Sequence, residues 1–363
     1  MKKILVVLLS VLLVFTMAGC GEKKTDEKVI DKLSIAFVPS KDPDQILTAA
    51  KPLEEMLKTV LAQKGYTVNA VDITVGTNYN AVGEGMIAGT IDIGFIPAAT
   101  YVQYHEDGVE LLLEALRYGI CDEKGTIIDP KLGIAPWNEG KTAQSKDGLV
   151  TGYASLIYVN IDTEKGADLY NKAVAGTLTW EDVNSAEWYV CSTTSSAGYV
   201  YPSIWLNNMF GEGVGQSRKT VANLEHVVGD GSYSAMIPQL IAGGCDVTVS
   251  FADYRYNKDA NEYFANAYAK EIAEGKYSSI YDIIKVIGVS DYIMNDTISY
   301  ANEKVDPKMT PEFVKALQEA FMEIGSTPEG LACVEPYSHM GYRIGDDKDY
   351  DSSRAAAEIL KNK

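Results

Sequence analysis

The residues of this chain best suited to holding an anion are a run of hydroxyl side chains at 192–196. A helix is predicted directly after this run, at about 198–209, and Pro202 is compatible with its first turn. The first N–H groups of a helix have no partner within it and lie at the positive end of its dipole. Together, these N–H groups and the hydroxyls of Ser195 and Ser196 could bind an oxyanion without a cation, so the segment predicts an oxyanion site. A serine N-cap beside a solvated turn would give the same pattern, so the segment alone leaves both interpretations open.

The sequence offers little of the chemistry that catalysis requires. It contains no nucleophile elbow, no zinc-protease helix and no glycine-rich phosphate loop. Its three histidines, which lack the spacing of metal ligands, are His105, His226 and His339. We therefore predict no catalytic residue, no metal site and no cofactor. This pattern favours a binding protein over an enzyme.

The N-terminus has the organisation of a lipoprotein signal peptide. Two lysines are followed by an apolar stretch at 4–15, which is too short to span a membrane, and small residues then lead to Cys20. We predict a signal peptide at 1–19, lipid attachment at Cys20 and a flexible tether at 20–31. A plain secretory signal with a chance cysteine is the alternative. The expected location is the extracytoplasmic face of the cell membrane, reached through the lipid.

The net charge limits which partners the protein can bind, and the cysteine content limits which disulfides it can form. The formal net charge is −18, and removal of Lys2 and Lys3 with the signal would make it −20. Such a field argues against nucleic acid as a partner, so an anion site here has to rely on local dipoles. Four cysteines remain besides Cys20, and an even number permits disulfides, but the long chain without close pairs favours unpaired, mostly buried thiols. We expect a monomer.

Strand and helix patterns alternate from residue 33 onward. The predicted strands of the first half are 33–38, 68–75, 91–96 and 111–116, and the predicted helices are 46–61, 78–89 and one that starts near 98. This order implies an open, largely parallel sheet with helices on both faces. Residues 118–151 are glycine-rich and polar, which indicates surface excursions on the first domain.

The alternating pattern restarts after the strand predicted at 153–159. We predict an α/β fold of two doubly wound α/β domains joined by crossover hinge strands. The first domain comprises 32–156 and 292–363, and the second comprises 157–291. Ligands of open α/β sheets bind beyond the carboxyl ends of the strands, so we expect the site in the cleft between the domains.

A set of short motifs along the chain stands in the order found in one known family. The motifs are Phe37-Val-Pro-Ser40, Asn78-Tyr79, Ala88-Gly-Thr-Ile-Asp92-Ile, Gly152-Tyr153, Ser195-Ser196-Ala197-Gly198, Gly231-Ser232-Tyr233 and Gly243-Gly-Cys-Asp246-Val. From about residue 33 to 335 the chain resembles the phosphonate- and phosphite-binding lipoproteins of ABC importers. These belong to the type II periplasmic binding proteins, and the resemblance implies that architecture.

The resemblance also implies roles for particular residues. The hydroxyl turn of the family, which holds the phosphonate oxygens, corresponds to Ser195 and Ser196. Two ligand-binding tyrosines of the first domain correspond to Tyr79 and Tyr153. On the residues alone, either tyrosine could instead be an ordinary surface or strand-edge side chain.

Two acidic residues are implied as well. Asp253 falls where the family places an acidic residue against the amino group of aminoalkyl phosphonates, although it could pair locally with Arg255. Asp296 corresponds to an aspartate on the crossover back to the first domain, and it could instead cap a turn. The chain departs from the family at Tyr233, which replaces a histidine and cannot carry its positive charge. Ala197 removes one hydroxyl from the turn.

Together the residues and the resemblance predict a lipid-anchored solute-binding protein that closes two domains around a phosphonate, phosphite or phosphate and delivers it to an ABC permease. The alternatives are a binding protein for another small ligand, such as a sulfonate or a vitamin precursor, and a sensory ligand-binding lipoprotein. An envelope enzyme on the same scaffold is a more distant alternative.

Overall fold

The computed structural model describes residues 28–211, 218–229 and 231–361. Within these ranges no helix is long and apolar enough to cross a membrane. The predicted signal peptide and Cys20 lie outside the described residues. The predicted tether overlaps the described chain only at 28–31, where the structure shows a strand. Its first buried residue, Ile30, pairs with Val68 of the neighbouring strand, which explains why the strand begins earlier than expected.

The described strands fall into two main sheets and two small ones. They are β1 Lys28–Phe37, β2 Tyr66–Val75, β3 Ile93–Ile96, β4 Val109–Ala115, β5 Arg117–Cys121, β6 Ala143–Val150, β7 Gly152–Tyr153, β8 Ser155–Asn160, β9 Trp188–Tyr189, β10 Val227–Val228, β11 Val247–Phe251, β12 Ile284–Val289, β13 Ile293–Met294, β14 Thr297–Ala301 and β15 Tyr342–Arg343.

The described helices cover both main sheets. They are α1 Pro43–Ala50, α2 Leu53–Gln63, α3 Tyr79–Ile87, α4 Ala98–Tyr104, α5 Ala135–Asn138, α6 Glu164–Ala175, α7 Trp180–Asn184, α8 Tyr201–Phe210, α9 Tyr233–Ala242, α10 Lys258–Ala267, α11 Ala269–Ala273, α12 Pro311–Ile324, α13 Pro328–Ala332 and α14 Asp351–Lys361. A π-helical turn at Ser196–Val200 leads directly into α8. The single helix predicted at 46–61 is divided at Pro52, whose nitrogen cannot donate a helical hydrogen bond.

The first sheet has the order β15-β4-β14-β3-β1-β2. β1 runs parallel to β2 and β3, as the alternating pattern predicts. β14 lies between β3 and β4 and is antiparallel to both, because the chain enters it on its return from the second sheet. All four residues of β3 are buried, which is typical of a central strand covered on both faces.

The second sheet has the order β10-β9-β11-β8-β12. Its interior strand β8 is buried at all six positions and runs antiparallel to its two neighbours, β11 and β12. β8 begins at Ser155, two residues before the predicted start of the second domain. The two α/β halves are therefore built on separate sheets, and the fold class predicted from the sequence is confirmed.

Two short strands connect the halves. β7 leaves the first half, β13 returns to it, and they pair antiparallel, with Tyr153 opposite Ile293 and Gly152 opposite Met294. A paired crossover of this kind is the place where two domains can rotate about each other with little repacking.

Residues 117–150 differ from the prediction of a surface excursion on the first domain. β5 and β6 form a hairpin, but the segment between them packs on the second half. The Asn138 amide exchanges hydrogen bonds of 2.8 and 2.9 Å with the backbone of Val286, and Arg255 donates to the Trp137 carbonyl at 2.7 Å. The reason is hydrophobic: Trp137 is only 2% exposed, and this packing is what buries it.

The four cysteines of the described ranges, Cys121, Cys191, Cys245 and Cys333, are buried and form no disulfide with one another.

Candidate functional site

A cavity of about 100 Å³ lies between the two halves. The first half contributes residues at the carboxyl ends of β1 and β3, among them Val38, Ser40 and Pro97. The second half contributes Phe251 and Ala252 at the carboxyl end of β11. The cleft therefore has the position that open α/β sheets provide for ligands.

Four helix N-termini meet at this cavity. α3 begins at Tyr79, α4 follows Pro97, α9 begins at Tyr233, and the π-helical turn before α8 follows Ser195. Each of these four residues lines the cavity. Because helix N-termini carry partial positive charge and unpaired N–H groups, their convergence favours an anion.

The hydroxyl turn is placed as the sequence predicts. Ser195 and Ser196 both line the cavity and are at most 1% exposed. The Ser195 hydroxyl lies 2.9 Å from the hydroxyl of Tyr233. A side chain at Gly198 would meet the Cβ of Cys191 at 2.5 Å, so close packing of the turn on Cys191 requires glycine there.

Ser196 also connects the two halves. Its hydroxyl accepts a 2.9 Å hydrogen bond from the N–H of Ala99, in the first turn of α4. Beside it the Thr100 hydroxyl donates to the Thr194 carbonyl at 3.0 Å, and the Thr194 hydroxyl donates to the Asn80 amide oxygen. The turn that faces the cavity is thus also the main direct polar contact across this part of the cleft.

Tyrosines make up much of the remaining wall. The seven that line the cavity are Tyr79, Tyr118, Tyr153, Tyr233, Tyr256, Tyr292 and Tyr337. Burial raises the pKa of Tyr79, Tyr153 and Tyr233 well above the ordinary tyrosine value, so their hydroxyls remain protonated. A protonated phenol can donate to an oxyanion without adding formal charge.

Two charged side chains line the cavity, Arg117 and Asp296, and they pair with each other. The guanidinium also lies 5.1 Å from the centre of the Tyr153 ring. Burial by itself raises the pKa of Asp296, but the positive charge of Arg117 and a hydrogen bond from His339 outweigh it, and the pKa lies below its usual range. Burial lowers the pKa of His339, which therefore stays neutral at pH 7.

Asp253 is not brought to the cavity, contrary to the expectation that it meets a ligand's amino group. It is fully buried and forms a two-pronged pair with Arg255, with Nη2 to Oδ2 at 2.6 Å and Nε to Oδ1 at 3.0 Å. Hydroxyls of Thr142 and Tyr158 occupy its remaining positions, each at 3.0 Å. The structure therefore has the local pairing of Asp253 with Arg255. The reason is that Arg255 is as deeply buried as Asp253, so its positive charge needs the negative charge of the carboxylate beside it.

Arg117 is the charged cavity residue that sequence reasoning missed, and four lining tyrosines, Tyr118, Tyr256, Tyr292 and Tyr337, were not predicted either. Arg117 is the first residue of β5, two positions past the end of β4. A charged residue directly after a strongly apolar strand was the available signal. The other predicted residues, Tyr79, Tyr153, Tyr233, Ser195, Ser196 and Asp296, all line the cavity. Among the residues described, no cluster of histidine, cysteine, aspartate or glutamate could hold a metal ion.

A protein-family model described as "ABC transporter, phosphonate, periplasmic substrate-binding protein" matches residues 35–350 of this chain. Among curated protein sequences, none matches it.

Solved structures share the fold at low identity. The binding-protein component of an ABC phosphonate transporter from Pseudomonas aeruginosa is 15% identical, with a TM-score of 0.57 over 91% of this chain and 87% of that one. PhnD1 from Prochlorococcus marinus, in complex with methylphosphonate, is 11% identical, with a TM-score of 0.54 over 92% and 99%. A Xanthomonas citri protein bound to ATP is 10% identical, with a TM-score of 0.60 over 92% and 99%. At these identities the likeness shows the fold alone.

Proposed function

The chain belongs to the family of periplasmic substrate-binding proteins of phosphonate ABC transporters, which are transport components and not enzymes; from this premise we propose that it binds a small phosphonate, phosphite or phosphate in the cavity between its two halves. The ligand's oxygens contact the turn at Ser195 and Ser196, with Tyr79, Tyr153 and Tyr233 as further donors. Because the ligand would touch both halves, it favours the closed arrangement, which is the form the permease receives.

The observation that carries this proposal is the convergence of four helix N-termini on one cavity. An anion there gains from several helix dipoles at once. This arrangement is compatible with the acidic surface of the chain, since the attraction is local.

The size of the cavity supports a ligand of a few atoms. A protein cavity of about 150 Å³ is known to hold benzene, and the one here is about 100 Å³. A methylphosphonate fits such a space, whereas a nucleotide such as the ATP of the Xanthomonas relative does not. The shared fold therefore accommodates different ligands, and the cavity of each protein decides which.

Calorimetry with methylphosphonate tests the proposal. We expect one molecule bound per chain and an affinity about ten- to hundredfold lower for Ser195→Ala, because a hydrogen bond to a charged group contributes about 1.5–3 kcal/mol. The matched control is Ser203→Ala, which alters a buried serine of α8 whose hydroxyl accepts from the Val221 N–H at 3.3 Å. Equal affinities for wild type and Ser195→Ala would show that the turn does not bind the anion.

We also propose that the chain is anchored at Cys20. The support is the sequence pattern before Cys20, in which an apolar stretch and small residues lead to the cysteine. Two acyl chains suffice for stable attachment, whereas one gives only marginal binding. The domain that binds ligand would thus be held close to the permease.

A further inference from the structure

The pair formed by Arg117 and Asp296 presents unused hydrogen-bonding groups at the ligand cavity. The guanidinium Nη2 donates to Oδ2 of Asp296, and the Nε of Arg117 is buried without any hydrogen-bond partner. A buried donor left unpaired costs free energy, so a ligand acceptor that reaches it would bind with advantage.

Only one carboxylate oxygen of Asp296, Oδ2, has hydrogen-bond partners among the described residues. His339 approaches the same oxygen that Arg117 contacts, Oδ2, at 3.5 Å. Among the described residues none donates to the other oxygen, Oδ1, and the side chain retains 10% exposure toward the cavity it lines. An ionised carboxylate can only accept, so the group that completes it has to be a donor.

Arg117 and Asp296 both line the cavity, and their side chains retain 14% and 10% exposure, so a donor group and an acceptor group lie beside each other on its wall. The group that complements them carries an ionised oxygen next to a hydroxyl. A singly protonated phosphonate, phosphite or phosphate has both, whereas a sulfonate of the same shape has three acceptor oxygens and no proton.

We propose that Arg117 and Asp296 together recognise a protonated phosphorus oxyacid, with Arg117 donating to its ionised oxygen and Oδ1 of Asp296 accepting from its hydroxyl. This inference rests on the proposed function and adds the charge state of the ligand to it. It also assigns a role to Arg117, which makes the pair a determinant of specificity against sulfonates.

The groups around Asp296 keep its carboxylate ionised, so that it can accept a hydrogen bond from the ligand. The groups that face it are Arg117, His339 and the tyrosines Tyr79, Tyr153, Tyr233, Tyr337, Tyr342 and Tyr350. The tyrosine pKa values are all raised and that of His339 is lowered, so Arg117 is the cation among them at pH 7. The pair adds no net formal charge to the cavity, which suits a monoanion held by helix dipoles.

The test is calorimetry of the full mature protein with methylphosphonate and with methanesulfonate, two probes of nearly the same shape. At pH 6 we expect methanesulfonate to bind about a hundredfold more weakly or worse, because a buried acceptor then faces another acceptor. Above the second ionisation of methylphosphonate its apparent affinity should fall about tenfold per pH unit, since only the protonated form is competent.

Substitution of Asp296 should shift the ligand preference from methylphosphonate toward methanesulfonate. Asp296→Asn offers an amide that can donate, so we expect weaker methylphosphonate binding, stronger methanesulfonate binding and loss of the pH dependence. The matched control is Asp349→Asn, which alters an arginine–carboxylate pair of 2.8 Å, with Arg343, outside the cavity. If Asp296→Asn fails to fold, the pH titration of the wild type against both probes still decides the question.

The outcomes separate the two proposals. Equal binding of both probes by the wild type, or methylphosphonate binding that strengthens with pH, would overturn the role of Arg117 and Asp296 and leave the proposed function intact. Binding of neither probe would overturn both. If Asp296→Asn weakens 2-aminoethylphosphonate far more than methylphosphonate, Asp296 accepts from an amine, and recognition of a hydroxyl is wrong.

Discussion

Replacing Asp253 should destabilise the second half strongly without changing which ligand is bound. Asp253 and Arg255 are both fully buried, and the guanidinium has further partners in the carbonyls of Ile284 at 2.9 Å and Trp137 at 2.7 Å. Asp253→Asn keeps the shape but leaves the arginine charge uncompensated. Breaking a buried pair in this way costs about 3–5 kcal/mol. At about 2–4 °C per kcal/mol, the melting temperature should fall by about 6–20 °C.

Thermal unfolding followed by circular dichroism measures this effect, and calorimetry of the folded variant measures ligand preference. Glu262→Gln is the control, since it removes an exposed pair with Lys258 at 3.5 Å that is worth less than about 1 kcal/mol. The double variant Asp253→Leu with Arg255→Met should recover part of the loss, because it leaves no buried charge, although the carbonyls of Ile284 and Trp137 lose the guanidinium as their partner. The reasoning is refuted if Asp253→Asn melts like the wild type, or if it selectively loses affinity for 2-aminoethylphosphonate relative to methylphosphonate.

Three further expectations follow from the contacts described. Thr100→Val removes the 3.0 Å hydrogen bond to the Thr194 carbonyl across the cleft and should lower methylphosphonate affinity about two- to tenfold by calorimetry; unchanged affinity would mean that this bond does not favour closure. The pKa of His339 is lowered in the folded chain, so its contribution to stability is complete above the unfolded pKa of about 6.5 and is lost as pH falls below that value. The free energy of urea unfolding should therefore decline between about pH 7 and pH 5, and this decline should be smaller in His339→Gln. Parallel plots of that free energy against pH for the wild type and the variant would contradict this. Cys20→Ser should release the protein from membranes or leave it unprocessed, which fractionation and mass spectrometry of the N-terminus detect; retention of an unlipidated mature chain on the membrane would remove the proposed anchor.

Much of the cleft follows from local sequence patterns. Ser195, Ser196, Tyr79 and Asp296 stand at the ends of strands or the starts of helices, and those ends converge in any open α/β fold. The placement of Ser195, Ser196 and Tyr79 at the cavity could therefore be expected, whereas that of Asp296 depends on the course of β14, and contact of all four with a ligand stays a prediction. The antiparallel course of β14 was not predictable from alternation, because it depends on the chain returning from the second half.

The role of Asp253 and the place of Arg117 depend on contacts between distant parts of the chain. The environment of Asp253 is made by Thr142 and by Arg255, whose guanidinium binds the Trp137 carbonyl, so a segment predicted to lie on the first domain buries a residue of the second. Arg117 has its partner because β14 inserts beside β4 and brings Asp296 to it. Strand and helix periodicity carries no information about such insertions.

A crystal structure of the mature protein grown with methylphosphonate tests the central claim most directly. The account predicts phosphorus density in the cavity between the halves, with oxygens within about 3 Å of the hydroxyl turn at Ser195 and Ser196. Density at another site, or a ligand in the cavity whose oxygens turn away from these hydroxyls, would contradict it.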